Sequence, residues 1–265
     1  MQVVLFDLDG TLIRGAEAIP GAAEAVEACR RAGVQVRFLT NNSSVTSDQV
    51  GVRLRSLGIE AHSSEVRTSG QAAAQLLVER GFRSAFVVGE PALSAVIQAE
   101  GIEVIARGDP QRADAVVAGI CRSLDYAWID EALQHLLAGA GWVATNTDRT
   151  YPLEAGRVQP GAGATVGALE AASGLTPILA GKPNPEFIRR WMQQEGWPLD
   201  QLMVIGDRLD TDIALAKALG SPSYLVLTGV TTSLPDGQAG GADLREWVQS
   251  TFGGPRSETS TFSRG

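Results

Sequence analysis

Asp7 and Asp9 close an apolar run near the start of the chain, VVLFDLDGT. Residues two apart on a strand face the same way. Both acids should therefore point together from the strand's C-terminal edge, the edge where open α/β sheets bind ligands. Side by side they repel, unless a divalent cation lies between them or the site's task demands the pair. Carboxylates placed in this way can serve as nucleophile and as proton donor or acceptor. Gly10 permits a sharp departure of the chain from the strand. An Asp-Gly pair alone would mark only a turn, but a strand run leading into DxDGT at residue 7 is far more specific.

Three later segments add the groups such acids would need. The run VQVRFLT ends in Thr40, followed by Asn41 and Asn42. A hydroxyl and exposed backbone N–H groups at a strand end can grip phosphate oxygens. In AGKPNPEFI, Lys182 follows a strand and precedes a helix whose first turn carries prolines, which makes it a pinned point charge for an anion. In MVIGDRLDTDIALAKALG, a strand and Gly206 lead into Asp207 and Asp212 at a helix start. Taken singly, these would be a loop, a surface lysine and complements to a helix dipole.

The elements that must position these groups alternate along the chain. Strands are predicted at 2–8, 34–40, 84–89, 102–106, 113–120, 142–146, 176–180, 202–206 and 223–228. Helices are predicted at 21–33, 47–58, 69–81, 91–101, 127–141, 161–174, 184–196 and 211–220. Continuous apolar strands alternating with helices indicate βαβ units and parallel sheets covered on both faces, an α/β protein. The polar tail GGPRSETSTFSRG is expected to be disordered.

The 265 residues, 44% hydrophobic and 20% charged, suffice for one large or two modest domains. A formal net charge of −8 argues against nucleic acid or a membrane surface as a partner. No stretch approaches the roughly 20 apolar residues that span a bilayer. Asp7 and Asp9 interrupt the first apolar run too early for a signal peptide, so the protein is expected in the cytoplasm. Cys29 and Cys121 form no CxxC and read as reduced structural thiols. His62 and His135 lie too far apart in sequence to suggest a zinc cluster or a histidine-driven triad. Gly161, Gly163 and Gly167 follow Pro160 with GxGxxxG spacing, which fits a tightly packed helix start better than a dinucleotide site.

Together the four segments resemble the motifs of the haloacid dehalogenase superfamily phosphohydrolases. The late LTGVTT and the stretch WVATNTDRTYPLEAGRVQPGAGATVGAL look like the branch that holds nitrophenylphosphatases, ribonucleotide monophosphatases and phosphoglycolate, pyridoxal phosphate and sugar phosphatases. The resemblance implies a doubly wound, Rossmann-like core of residues 1–80 and 179–265 and an inserted α/β cap of type IIA over 81–178. It makes Asp7 the nucleophile and Asp9 the general acid and base. Thr40, Asn41 and Lys182 would bind phosphate. Mg²⁺ would be held by Asp7, the Asp9 backbone carbonyl and Asp207, with Asp212 acting directly or through water or Lys182. Arg208 and Asp210 would face solvent or support the site from behind.

In the cap, Asn146, Asp148 and Tyr151 are the specificity candidates. Thr147 stands where relatives carry proline in Asn-Pro-Asp, and Tyr151 where several carry histidine, so that loop departs from the relatives' pattern. The implied activity is Mg²⁺-dependent hydrolysis of a small phosphorylated metabolite through a phosphoaspartate, with p-nitrophenyl phosphate as an artificial substrate. The implied assembly is a monomer or a homodimer formed through the cap.

Charge arithmetic supports the cation. At ~4 Å and an effective dielectric of about 20, each like-charge pair among the acids and a phosphate repels by roughly 4 kcal/mol, more than one lysine offsets. Dehalogenases of the superfamily lack the second acid, so Asp9 favours phosphate chemistry. A signalling receiver would be one short domain without the DxD pair.

Overall fold

A computed structural model describes residues 1–153 and 156–253. The expectation for the C-terminal tail falls outside the described residues, apart from Gly253. The chain forms two parallel sheets. The first contains β1 (Val3–Asp7), β4 (Gln35–Thr40), β5 (Val66–Thr68), β13 (Leu202–Gly206), β14 (Ser223–Val226) and β15 (Gly240–Gly241), in the order β15-β14-β13-β1-β4-β5. The second contains β6 (Ser84–Val88), β7 (Glu103–Ile105), β8 (Ala115–Ala118), β9 (Gly141–Ala144) and β12 (Ile178–Leu179), ordered β12-β9-β8-β6-β7. Two small antiparallel pairs complete the strands: β2 (Ile13–Arg14) with β3 (Glu17–Ala18), and β10 (Thr150–Pro152) with β11 (Val158–Pro160).

Both sheets are covered on both faces, which is why their strands read as unbroken apolar runs. In β1, Val4 and Phe6 pack into one cluster with Phe38 and Trp247, while Val3 and Leu5 pack into another with Trp191 and Met192. In β8, Ala115 and Val117 face one side and Val116 and Ala118 the other. The covering helices are α1 (Ala22–Arg31), α2 (Ser47–Ser56), α3 (Ser69–Glu79), α4 (Pro91–Ala99), α5 (Tyr126–Leu137), α6 (Ala162–Ser173), α7 (Glu186–Glu195), α8 (Ala214–Leu219) and α9 (Leu244–Phe252). Local chemistry sets their starts. Thr46 with Gln49 and Thr68 with Gln71 form reciprocal caps, and Asp125 and Asp243 cap α5 and α9.

The α/β reading holds, with a strand or helix at each predicted position. Several short elements were not predicted: β5, β15, the two hairpins, and α9. A three-residue VRT strand is too brief to show alternation. Helix α9 did carry a legible start in Asp243, and its Trp247 closes the core against Phe6.

The cysteines are free. Cys29 is fully buried, and burial pushes its thiol pKa up to about 12, which makes it inert packing. His135 is buried against the Phe86 ring and accepts the Ala113 N–H, so it belongs to the core. No helix among the described residues is long and apolar enough to cross a membrane.

Candidate active site

From β1 the chain winds outward through β4 and β5, then returns on the other side of β1 with β13, β14 and β15. The order reverses at β1, which places a crevice at its C-terminal end. Asp7 is the last residue of β1, Thr40 the last of β4, and Asp207 the residue after β13. Parallel register brings these ends level, with Phe6 opposite both Phe38 and Ile205. Lys182 arrives differently. It follows β12, the edge strand of the second sheet, so both sheets aim their C-terminal ends at one place.

Lys182 is the hub. Its Nζ donates to Asp7 Oδ1 at 2.5 Å and to Asp212 Oδ1 at 2.7 Å. Thr11 Oγ1 donates to the other Asp7 oxygen at 3.1 Å. Asp212 Oδ2 accepts the Arg208 N–H, so both its oxygens are engaged. Asp207 Oδ2 accepts the Val230 N–H, while Asp207 Oδ1 is buried without a partner. One oxygen each of Asp7, Asp207 and Asp212 lie within 4.8 Å of one another.

Glycines make room for these carboxylates. A Cβ at Gly229 would stand 1.9 Å from Asp207 Oδ2, and one at Gly10 would stand 2.6 Å from it. Gly10 also has φ +99°, a conformation side chains resist. A Cβ at Gly206 would stand 2.2 Å from Asp212 Cγ.

The electrostatics are those of a cluster short of positive charge. Burial, then Asp7 and Asp212, push the Asp207 carboxyl well above the usual range. Burial raises Asp212 to about 6 in spite of Lys182. Burial works against the Lys182 ammonium, but Asp212 and Asp7 hold its pKa above the ordinary lysine value. Three buried carboxylates thus share one ammonium. An orphaned buried oxygen, a hard all-oxygen donor set and a glycine cradle fit a divalent cation.

Asp9 is half-buried at the mouth. Burial raises its pKa against the pull of Arg53 and Lys182, the direction that favours a carboxyl able to donate a proton.

The opposite wall comes from the second sheet. Together the two walls flank an open cleft lined by Asp7, Asp9, Thr40, Asn41, Lys182 and, across from them, Asn146, Asp148 and Tyr151. Asp207 and Asp212 lie behind this surface and do not line it.

Asn41 stitches the walls together. Its Oδ1 accepts the Lys182 N–H at 3.0 Å, and its Nδ2 donates to Lys182 O and to Asp148 Oδ2. Asn146 is fully buried and its Nδ2 donates to Asn41 O, while its Oδ1 accepts the Asp148 N–H. The side chains of Asn41 and Asn146 are thus occupied in holding the loops. Thr40 Oγ1 accepts the Asn42 N–H at 3.0 Å. Ser43 Oγ accepts the Ile120 N–H and adds a third tie.

Asp148 is fixed by backbone packing. Its carbonyl accepts the Gly163 N–H at 2.9 Å, and a Cβ at Gly161 would stand 2.2 Å from that oxygen. This close approach accounts for two of the three glycines in GxGxxxG. Gly167 faces open space. Tyr151 Oη donates to Gln159 Oε1 and accepts from Arg122 Nη2.

Sequence reasoning undervalued Arg208, expected to face solvent or to support the site from behind. Its guanidinium lines the cleft, chelated by Asp210 and 4.0 Å from Asp148. It also passed over Thr11, although a hydroxyl four residues after Asp7 in DxDGT was a readable signal. The Gly229–Val230 support for Asp207 was hidden in LTGVTT, a string that carries no charge.

Comparison with known proteins agrees with this fold. Residues 4–103 match the family described as haloacid dehalogenase-like hydrolase, and residues 179–246 match a second description, HAD-hydrolase-like. A D-glycerol 3-phosphate phosphatase of Mycobacterium tuberculosis is 39% identical over 232 residues, covering 87% of this chain and 64% of that protein. The chain therefore spans just under two thirds of that relative's length. The crystal structure of a glycerol phosphate phosphatase from M. tuberculosis in complex with magnesium aligns with a TM-score of 0.82 at 37% identity, over 92% of this chain and 76% of that one. A p-nitrophenyl phosphatase from Archaeoglobus fulgidus aligns with a TM-score of 0.84 at 30% identity, over 94% and 98% of the two chains.

Proposed function

The chain belongs to the haloacid dehalogenase-like hydrolases, and from that premise we propose that it is a phosphatase of small phosphorylated metabolites that works through a phosphoryl-Asp7 intermediate with Mg²⁺ as its cation. The observation that carries this reading is the meeting of Asp7, Asp207 and Asp212 oxygens within 4.8 Å, around one ammonium and beside one unpartnered buried oxygen.

A carboxylate oxygen of Asp7 attacks phosphorus as the bond from phosphorus to the leaving oxygen breaks. Asp9 gives its proton to that oxygen, so the product leaves as an alcohol. Asp9 then takes a proton from the water that attacks the aspartyl-phosphate, which releases phosphate and restores Asp7. Lys182 balances the charge gathered at the phosphoryl group, and Asp212 keeps the ammonium in place. Thr40 and the backbone that follows it receive the phosphate oxygens. Asn41 serves by fixing the Lys182 loop.

Asp7, Asp207 and the Asp9 carbonyl would hold the cation, which neutralises the carboxylates and polarises the phosphoryl group when bound. Mg²⁺ suits these hard oxygen ligands, and the site offers no histidine or thiolate for zinc. The wall formed by the second sheet, assigned to the cap over 81–178, excludes water and contacts the alcohol half of the substrate.

The test is phosphate release from p-nitrophenyl phosphate with Mg²⁺, paired with peptide mapping of acid-quenched Asp9→Asn protein. The reading expects many turnovers per molecule and a phosphoryl group on the Asp7 peptide of the variant. One stable phosphorylation without turnover, or phosphate on another residue, overturns it.

A further inference from the structure

Resting on the phosphatase reading above, we infer that the second sheet holds the phosphate-gripping loop in place, and that Ser43 is the positioning residue through which it does so. The loop leaves β4 at Thr40 and reaches α2 through Thr46. Its internal bonds are local. Thr40 Oγ1 accepts the Asn42 N–H, and Asn42 Oδ1 accepts the Ser44 N–H. Bonds that span two residues shape a loop without fixing where it sits. Its seat comes from the second sheet. Ser43 is 1% exposed, and its Oγ accepts the Ile120 N–H at 3.1 Å, two residues after β8 ends. Asn41 is tied in parallel to the segment after β12, through the Lys182 N–H.

Two glycines make the socket for this loop. Gly119 follows β8 and Gly181 comes two residues after β12, and neither has a positive φ. The backbone therefore does not demand glycine at either place. Space does. A Cβ at Gly181 would stand 2.7 Å from Asn41 Oδ1, though Thr145 O would crowd it as well, at 2.5 Å. At Gly119 the loop itself is the first obstacle. A Cβ there would stand 2.6 Å from Ser43 Oγ, and the next atom, Leu93 Cδ2 at 2.9 Å, ends a flexible chain. Ser43 is thus seated in a gap that the second sheet leaves open. A grip on phosphate oxygens works only when its donors are held to within roughly 0.5 Å. Removing the Ser43 hydroxyl leaves the buried Ile120 N–H unpaired and unseats the loop. Inorganic phosphate should feel this as strongly as an ester, because the seat acts on the phosphate end of the cleft.

The experiment measures the Ki of inorganic phosphate, which has no alcohol half, against p-nitrophenyl phosphate hydrolysis with Mg²⁺. It compares the parent, Ser43→Ala and a matched control, Ser84→Ala. Ser84 is also buried, and its Oγ accepts the Asp114 N–H at 3.0 Å. That is the same kind of bond in the same sheet, but at the start of β6, the strand end away from the cleft. Ser43→Ala should raise Ki by about fivefold or more. Ser84→Ala should lower Tm to a similar extent yet leave Ki within about twofold of the parent. A Ki within about twofold of the parent in Ser43→Ala, or an equal rise in Ser84→Ala, overturns the inference. If Ser43→Ala does not fold, Gly119→Ala decides in its place, because the added methyl displaces Ser43 without removing a polar group. Failure of both to fold also overturns the inference, since the seat would then serve the fold and not the phosphate. A parent without repeated turnover is a different result, seen before any variant is made, and it removes the phosphatase reading itself.

Discussion

Asp7, Lys182, Asp207 and Asp212 are each no more than 7% exposed, whereas across the same cleft Asp148 and Tyr151 are half-buried and Arg122 is exposed. On the first wall, Asp7, Thr40 and Asp207 leave the backbone within a residue of a strand end, and Lys182 ties Asp7 to Asp212. The second wall hangs from the loop after β9 and from a two-stranded hairpin. Rigid elements place charges finely enough to act on a developing transition state, while loops supply contacts that can be exchanged. Changes on the first wall should therefore strike kcat, and changes on the second should fall mainly on KM.

The sharpest way to break that division is at Asp7. Asp7→Asn keeps the size of the side chain and removes the nucleophile, so kcat should fall by at least about 10³-fold with the fold intact. Steady-state kinetics alongside circular dichroism checks both halves of the statement. Activity within tenfold of the parent would mean that the buried wall is not where the chemistry occurs.

Gly229→Ala tests the same wall without touching a polar group. The added methyl would overlap Asp207 Oδ2 and Cγ, so the carboxylate must move. Turnover should drop by about 10²-fold and the Mg²⁺ concentration for half-maximal activity should rise about 10-fold or more. A second readout needs no substrate. Mg²⁺ should raise the Tm of the parent by relieving repulsion among Asp7, Asp207 and Asp212, and it should do so less in the variant. A variant that binds Mg²⁺ like the parent would show that Asp207 is not held by its glycine cradle.

The contrast between the walls also explains what could be read in advance. On the first wall, chemistry and position are written in the same few residues. An apolar run ending in DxDGT states both the acids and the strand edge, and GDRLDTD after LMVI does so again. The alternation of β1, β4, β13 and β14 was legible because both sheet faces are buried. On the second wall, identity and role separate. Asn146 was read as a specificity residue, yet its amide is fully buried and committed to Asn41 and Asp148. Arg208 was set aside as a supporting residue, yet it lines the cleft. Those roles turn on the contacts of Asn146 with Asn41 and of Arg208 with Asp148, partners far apart in the chain, which no local pattern encodes. The hairpin of β10 and β11 has three residues a side, too few for alternation to declare it.

Asn146→Ala sits on the boundary between the walls. It strips Asn41 O of the Asn146 donor and Asp148 N–H of its acceptor. Asn41 O keeps the Ser69 hydroxyl as a donor, so the loss falls mainly on the Asp148 N–H, and leaving that group unpaired costs about 1–3 kcal/mol, measurable by urea unfolding. Because Asn41 also fixes the Lys182 loop, kcat should fall several-fold while KM rises about tenfold. A change in KM with stability and kcat untouched would return Asn146 to the role of a substrate contact.

The smallest effect is expected at Tyr151→Phe. The hydroxyl is already shared between Gln159 and Arg122, so it has little left to offer a substrate, and the ring that remains still walls the cleft. Removing it should shift KM by about threefold or less and leave kcat unchanged, the size of one partly exposed hydrogen bond. Arg122 would keep its ion pair with Glu90. A large fall in kcat would place Tyr151 beside the reacting atoms and erase the distinction between a wall that performs the chemistry and a wall that chooses the substrate.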